Sequence, residues 1–173
     1  MSHILPVIRP EKPAEKLLVD QLTRSIFGPG AATRAAAALR EGVPHCPYLA
    51  FVAELDGALI ATIRFTPVRW GSDEVLMLGP LGVSKAFVKK GVGRSLMQAG
   101  MEVAQRAARS DGHDVVILVG DLPYYQPFGF NRIPPERISL PRPVDPARVL
   151  GCALSTGALD RFSGAVEPVL RTQ

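Results

Sequence analysis

Cysteine, histidine and aromatic side chains are all scarce in this chain, and each shortage closes off a class of chemistry. Only Cys46 and Cys152 are present, far apart and outside any Cys-x-x-Cys pair. That usage suits a reducing, cytoplasmic setting and excludes a structural zinc site. His3, His45 and His113 stand singly, so no metal-ligand set is readable and no metal is expected. No nucleophile motif is readable around Cys46 or Cys152, which leaves no covalent thiol intermediate to invoke. Aromatic residues make up 6% of the 173 residues, too few for base-stacking platforms. No apolar run reaches the ~18 residues of a membrane span. Arg9, Glu11 and Lys12 follow the first apolar run too closely for a signal peptide.

What is present is globular. Hydrophobic residues at 47% and charged residues at 21% predict one domain over residues 1–173, large enough to bury a core. A net charge of +4 and a pI near 9.4 suit an anionic small ligand and are too mild to imply nucleic acid. No internal repeat or dividing linker interrupts the chain.

The pattern of elements is mixed. A short strand over 4–8 is ended by Arg9-Pro10, and a helix over 13–27 repeats Leu18, Leu22 and Ile26 on one face, a stripe that reads as core. Gly28-Pro29-Gly30 breaks it before an alanine-rich helix over 31–40, closed by Gly42. A strand over 48–55 turns at Asp56-Gly57 into one whose apolar Leu59, Ala61, Ile63 and Phe65 alternate with Ile60, Thr62, Arg64 and Thr66, the pattern of a half-exposed antiparallel strand. After the turn at Gly71-Ser72-Asp73, a strand over 74–83 is interrupted by Gly79-Pro80, which predicts a bulge or a splayed pair. A helix over 91–110 presents Val92, Leu96, Ala99, Val103 and Ala107 on one face and ends at Asp111-Gly112. The apolar run over 114–119 then predicts a strand covered on both faces, reached by a right-handed crossover and therefore parallel to its predecessor. GDLPYYQPFGF predicts one helical turn leading to a strand; a short strand over 138–140 and a last pair over 149–154 and 164–169 complete the chain.

The chemistry concentrates between Leu78 and Gly100, in LGPLGVSKAFVKKGVGRSLMQAG. An extended segment passes through a basic loop and opens a helix at Gly91-Val92-Gly93. Free N–H groups at a helix start favour an anion, and Lys89, Lys90 and Arg94 add positive charge. Glycine admits a phosphate close to the backbone, although it equally allows a tight loop or close packing. A Walker loop is excluded, since Gly93 is followed by Arg94-Ser95, and Leu96 breaks the dinucleotide pattern G-x-G-x-x-G.

An interrupted strand, a basic Gly-x-Gly loop, a long helix, an apolar strand and Tyr-x-x-x-Gly-Phe together resemble the GNAT superfamily of acyl-CoA-dependent N-acetyltransferases. The match is strongest over 74–130; GPLGV, the VGD before the tyrosines and the tail phrase GALDRFSGAV resemble its bacterial YhbS-like branch. The resemblance implies an α/β fold with a mostly antiparallel central sheet, a splayed parallel pair and flanking helices. It also implies direct acetyl transfer from acetyl-CoA to a primary amine of a small molecule or peptide, and leaves a homodimer open, since dimers are common among similar proteins.

Carried over residue by residue, the family's Gln/Arg-x-x-Gly-x-Gly/Ala phosphate pattern falls on Val88, Lys89, Lys90, Gly91, Val92 and Gly93, with Arg94 and Ser95 following. Val88 departs, because it cannot hydrogen-bond as glutamine or arginine would, and this implies weaker coenzyme binding than the family norm. Leu81, Gly82 and Val83 match the strand that holds the pantetheine arm and thioester carbonyl, with the Leu81 amide as oxyanion donor. Tyr125 matches the tyrosine that protonates the departing thiolate, while Tyr124, Phe128 and Phe130 read as packing. The general base stays open: the strand position that can carry a glutamate is Met77, and Glu54, Asp73, Glu74 and Asp121 are candidates without a choice among them. A non-catalytic acyl-CoA-binding module is the competing expectation, kept by Val88 and Met77.

Overall fold

The structure is a computed structural model that describes residues 4–30 and 34–170. Its strands are β1 (Val7–Pro10), β2 (Ala50–Leu55), β3 (Ala58–Trp70), β4 (Asp73–Val83), β5 (Val115–Val119), β6 (Asn131–Arg132), β7 (Ile138–Ser139), β8 (Val149–Ala153) and β9 (Gly164–Pro168). The helices are α1 (Lys16–Phe27), α2 (Ala35–Arg40), α3 (Val92–Asp111) and the single turn α4 (Leu122–Tyr125). The main sheet runs β1-β2-β3-β4-β5-β8-β6. Its neighbours are antiparallel except β4 and β5, which run parallel through the α3 crossover. This is the mixed sheet with one parallel pair that the resemblance implied.

Period-two alternation divides the core between the two faces. Leu76, Leu78, Val116 and Leu118 point toward α3 and its Leu96, Met97 and Ala104. Val75, Met77, Val115 and Ile117 point the other way, toward Leu39 of α2 and Phe162 of the tail. Gly100 brings α3 down onto β3, where a Cβ would stand 2.7 Å from the Phe65 ring.

Several expectations are corrected by long-range partners. The strand expected over 4–8 is Val7–Pro10, because Arg9 and Pro10 pair with Val52 and Phe51; Pro10 is tolerated because β1 is an edge. Residues 47–49 form a 3-10 turn, so β2 starts at Ala50. In α1 the buried residue is Val19, while Leu18 of the expected stripe is 57% exposed. On α3, Val92 and Leu96 are buried and Ala99 and Val103 pack against the core as expected, and Met97, Gly100 and Ala104 join them as buried residues. The second helix runs Ala35–Arg40, and the first part of the expected one, residues 31–33, lies outside the described residues, as does His3. The last two strands do not pair with each other: β8 lies between β5 and β6, and β9 pairs with β3 and β7.

The largest correction concerns β3, which is covered on both faces: Thr62, Arg64 and Thr66 are only 0%, 8% and 1% exposed. Arg64 is buried because α1 and the segment before it bring carboxylates to it. Its Nε and Nη2 donate to Glu11 at 2.9 and 2.6 Å, and its Nη1 donates to Asp20 at 2.7 Å. Burial opposes the guanidinium charge, but these hydrogen bonds outweigh it and leave the pKa of Arg64 raised.

Candidate active site

Two irregularities open the site. On one side of β4 the register with β3 slips by one residue, so that Ile63 faces Leu81 and Phe65 faces Leu78, with Gly79 and Pro80 together opposite Arg64. On the other side β4 meets β5 only at Leu76–Val116 and Met77–Ile117. Beyond that point the strands part. Between them lies a cleft of about 870 Å³, lined by Leu78 to Val83, Val88, Gly120, Asp121, Tyr124 and Tyr125, with Ile26 and Phe27 of α1, Arg40 of α2 and Arg148 of the tail.

The register decides which amides face this cleft. The Ser84 N–H donates to the Ile60 carbonyl at 2.7 Å. Hydrogen-bonded pairs alternate in an antiparallel ladder, so Gly82 pairs with Thr62 and the N–H groups of Leu81 and Val83 point away from β3. That direction is the side β5 has left. By this register neither Leu81, the donor expected at Gly79-Pro80, nor Val83 has an N–H acceptor on β3.

The start of α3 supplies more donors. Gly91 caps it in the left-handed conformation, with φ of 82° and no side-chain cap. The Ser95 amide and hydroxyl both donate to the Gly91 carbonyl, at 3.0 and 3.1 Å. Ser95 is thereby engaged within the helix, and the first-turn amides of Val92, Gly93 and Arg94 have no intrahelical acceptor. A Cβ on Gly93 would stand 2.7 Å from the Tyr124 hydroxyl, so glycine there keeps the backbone open beneath that ring. Lys89 takes a positive φ of 61°, and the Lys90 ammonium lies 5.8 Å from the Phe87 ring centroid. Val88 lines the cleft with an apolar side chain.

The tyrosines stand opposite β4. Asp121 begins α4, and its carbonyl accepts from the amides of Tyr124 and Tyr125 at 3.1 and 3.3 Å. A Cβ on Gly120 would collide with the Tyr125 ring, and that ring meets Tyr124 and Phe130 edge-on at 4.8 and 5.9 Å. Burial, then the neighbouring Tyr124 and Asp121, push the Tyr125 phenol up to about 12. Tyr124, expected to pack, instead lines the cleft and is 41% exposed. Phe130 is fully buried and Phe128 packs against the same core, as expected.

Of the carboxylates considered as a base, Glu54 is bonded to Arg9 at 2.7 Å and Glu74 to His113 at 3.0 Å. Asp73 opens β4 at an exposed turn. Asp121 alone among these lines the cleft, paired with Arg148 at 3.2 Å. Met77 is buried on the far face of the sheet. Arg40 is a cleft residue that sequence reasoning passed over, since an arginine ending an alanine-rich helix carries no motif. Among the described residues no cluster of His, Cys, Asp or Glu could hold a metal ion, and no helix is long and apolar enough to cross a membrane.

Comparison with known proteins agrees with this geometry. The model of the acetyltransferase (GNAT) family matches residues 17–130. The GNAT family N-acetyltransferase YhbS from Escherichia coli, solved in complex with CoA, is 26% identical, with 97% of this chain and 92% of that chain covered and a TM-score of 0.78. A GNAT family acetyltransferase from Brucella melitensis, solved with acetyl-CoA, is 30% identical over 95% of this chain and 96% of that chain, with a TM-score of 0.64. The ribosomal-protein-S18-alanine N-acetyltransferase from Escherichia coli, at 14% identity, 89% and 97% coverage and a TM-score of 0.58, shares the fold alone. No curated protein matches the chain.

Proposed function

The chain belongs to the GNAT acetyltransferase family, and from that premise we propose that it moves an acetyl group from acetyl-CoA directly to a primary amine of a small molecule or peptide. One observation carries this reading: the outward amides of Leu81 and Val83 face the same cleft as the Tyr125 phenol. The two relatives solved with CoA or acetyl-CoA support the choice of co-substrate.

The chain's residues fit that co-substrate. The amides of Val92, Gly93 and Arg94 bind the pyrophosphate, helped by the helix dipole and by the charges of Lys89, Lys90 and Arg94. Gly91, where a Cβ would have nothing within 4 Å, leaves room for its approach. Val83 and Leu81 hydrogen-bond the pantetheine arm and the thioester as a strand partner would. The Leu81 N–H then stabilises the oxyanion that develops as the amine attacks, a donor worth about 3 kcal/mol in comparable sites. As the new C–N bond forms and the C–S bond breaks, Tyr125 holds the departing sulfur by a hydrogen bond and passes its proton within the same step. Burial pushes this phenol up to about 12, a weaker acid than a thiol, so its role is first the hydrogen bond to the departing sulfur, with the proton following as the C–S bond breaks. The general base stays open; Asp121, the one carboxylate among those considered that lines the cleft, is the candidate this reading favours for the amine proton.

The test is thiol release from acetyl-CoA across an amine panel, with coenzyme affinity measured in parallel. Tyr125→Phe is expected to lower kcat by about 100-fold, the lower range for general acid catalysis, with the coenzyme Kd changed less than about twofold. Because Tyr125 keeps its proton up to about pH 12, kcat/KM should rise as the acceptor amine deprotonates and show no alkaline fall from this group below about pH 11. Equal turnover in the variant would remove the role of Tyr125. Tight coenzyme binding with no turnover on any amine would replace the enzyme by a coenzyme-binding module, the reading that Val88 and Met77 favour.

A further inference from the structure

The end of the cleft away from α3 holds a cation that no carboxylate among the described residues answers. Arg40 is the last residue of α2. Its guanidinium reaches across to the slipped register of β4, where a Cβ on Gly79 would stand 2.7 Å from Nη1 and 3.8 Å from Cζ. There it lines the cleft among Ile26, Phe27, Ala36, Ala37 and Leu78. Among the described residues no carboxylate lies within ion-pair distance of it, and its sequence neighbour Glu41 is exposed. The two acidic residues that line the same cleft are engaged elsewhere. Asp121 pairs with Arg148, and Asp145 accepts from the Ala147 amide at 2.9 Å.

Arg64 shows what this protein does with a buried guanidinium that serves only the fold: Glu11 and Asp20 surround it. Arg40 has only the penalty. Burial alone acts on it, pushing its pKa down to about 10, so it remains charged at neutral pH. A half-buried, unanswered cation costs stability, and the natural answer is a charge delivered by a ligand. We propose that Arg40 binds an anionic group of the acceptor, and that the acceptor is a small amine bearing a carboxylate. The walls beside Arg40 are apolar, and Arg34, the other arginine at the α2 end, is exposed and lies over the Phe27 ring at 6.0 Å; a monoanion therefore matches the one half-buried cation, whereas the second charge of a phosphate would face only an exposed one. This inference rests on the acetyl-transfer reading above for the amine, but the anion site can be tested without it.

The test uses matched acceptors, 4-aminobutyrate against 4-aminobutanamide and glycine against glycinamide, with kcat/KM referred to the free-base amine because the amide members carry less basic amino groups. A charged hydrogen-bonded pair predicts a preference for the carboxylate member of roughly 10- to 100-fold in kcat/KM, carried by KM. Arg40→Met should collapse that ratio to near one while the acetyl-CoA Kd stays within about twofold, and Arg40→Lys should restore part of it. Equal turnover of both members would overturn the anion site and leave acetyl transfer standing. A weakened acetyl-CoA Kd in Arg40→Met would assign Arg40 to the coenzyme and likewise overturn it. If no amine turns over, acetyl transfer falls, and calorimetric titration of N-acetylglycine into the CoA-loaded protein decides the anion site alone. Binding that is lost in Arg40→Met, with an unchanged melting temperature, supports the site; binding that is absent from the native protein, or equal in both, overturns it.

Discussion

The two ends of the cleft are built from different material. At the α3 end the proposed binding groups are main-chain amides, left without acceptors by a helix start and by a strand whose ladder slips at Gly79-Pro80. At the α2 end they are side chains, with Arg40 set among apolar residues from three separate elements. The first end can grip only what is common to every acyl-CoA, and the second is free to differ from one protein to the next. Arginine makes the contrast sharper. Arg64 and Arg40 both approach the irregular part of β4, yet one is enclosed by two carboxylates and the other by none among the described residues. The enclosed arginine holds α1 onto β3, and the open one is left for a ligand.

That comparison breaks most visibly in stability. Arg64→Met strands Glu11 and Asp20 without their partner, which should cost about 3–5 kcal/mol and lower the melting temperature by roughly 6–20 °C in a domain of this size. Arg40→Met removes an unanswered charge, and its melting temperature should hold or rise. Thermal denaturation of both variants decides the matter; equal losses would erase the distinction between the two arginines. A smaller effect is expected at the backbone end. Gly93→Val would push a side chain against the Tyr124 hydroxyl and the approach to the free amides, weakening coenzyme binding by roughly 10- to 100-fold, measured by titration calorimetry. Unchanged affinity would mean that the first turn of α3 is not the phosphate seat. Smallest is Val88→Gln, which supplies a hydrogen-bonding side chain at the cleft wall and should tighten coenzyme binding by roughly 2- to 10-fold. Weaker binding by this variant would show that Val88 packs productively as it is.

The backbone end was legible because its signals are local. Glycines at 91 and 93, the basic loop and Gly79-Pro80 act within a few residues of where they stand, and helix start, slipped register and outward Leu81 amide followed. The side-chain end was not. The buried state of Arg64 depends on Glu11 and Asp20, 53 and 44 positions away, so alternation alone reads β3 as half-exposed. The exposure of Leu18 depends on how α1 rolls to bring Asp20 to that arginine. Tyr124 reads as packing because nothing local reveals that Gly93 lies beneath its hydroxyl. The partners of β8 and β9 follow from tail routing, for which no short motif exists.

Whether the main chain holds the coenzyme can be read directly from backbone amide resonances, since each proposed donor is a single N–H. Titrating acetyl-CoA into the isotope-labelled protein should move the signals of Leu81, Val83, Val92, Gly93 and Arg94 most, and slow their exchange with solvent, while the amides of Gly82 and Ser95, already bonded inside the fold, keep their exchange rates. Saturating binding that leaves those five unmoved and perturbs another surface would contradict the account.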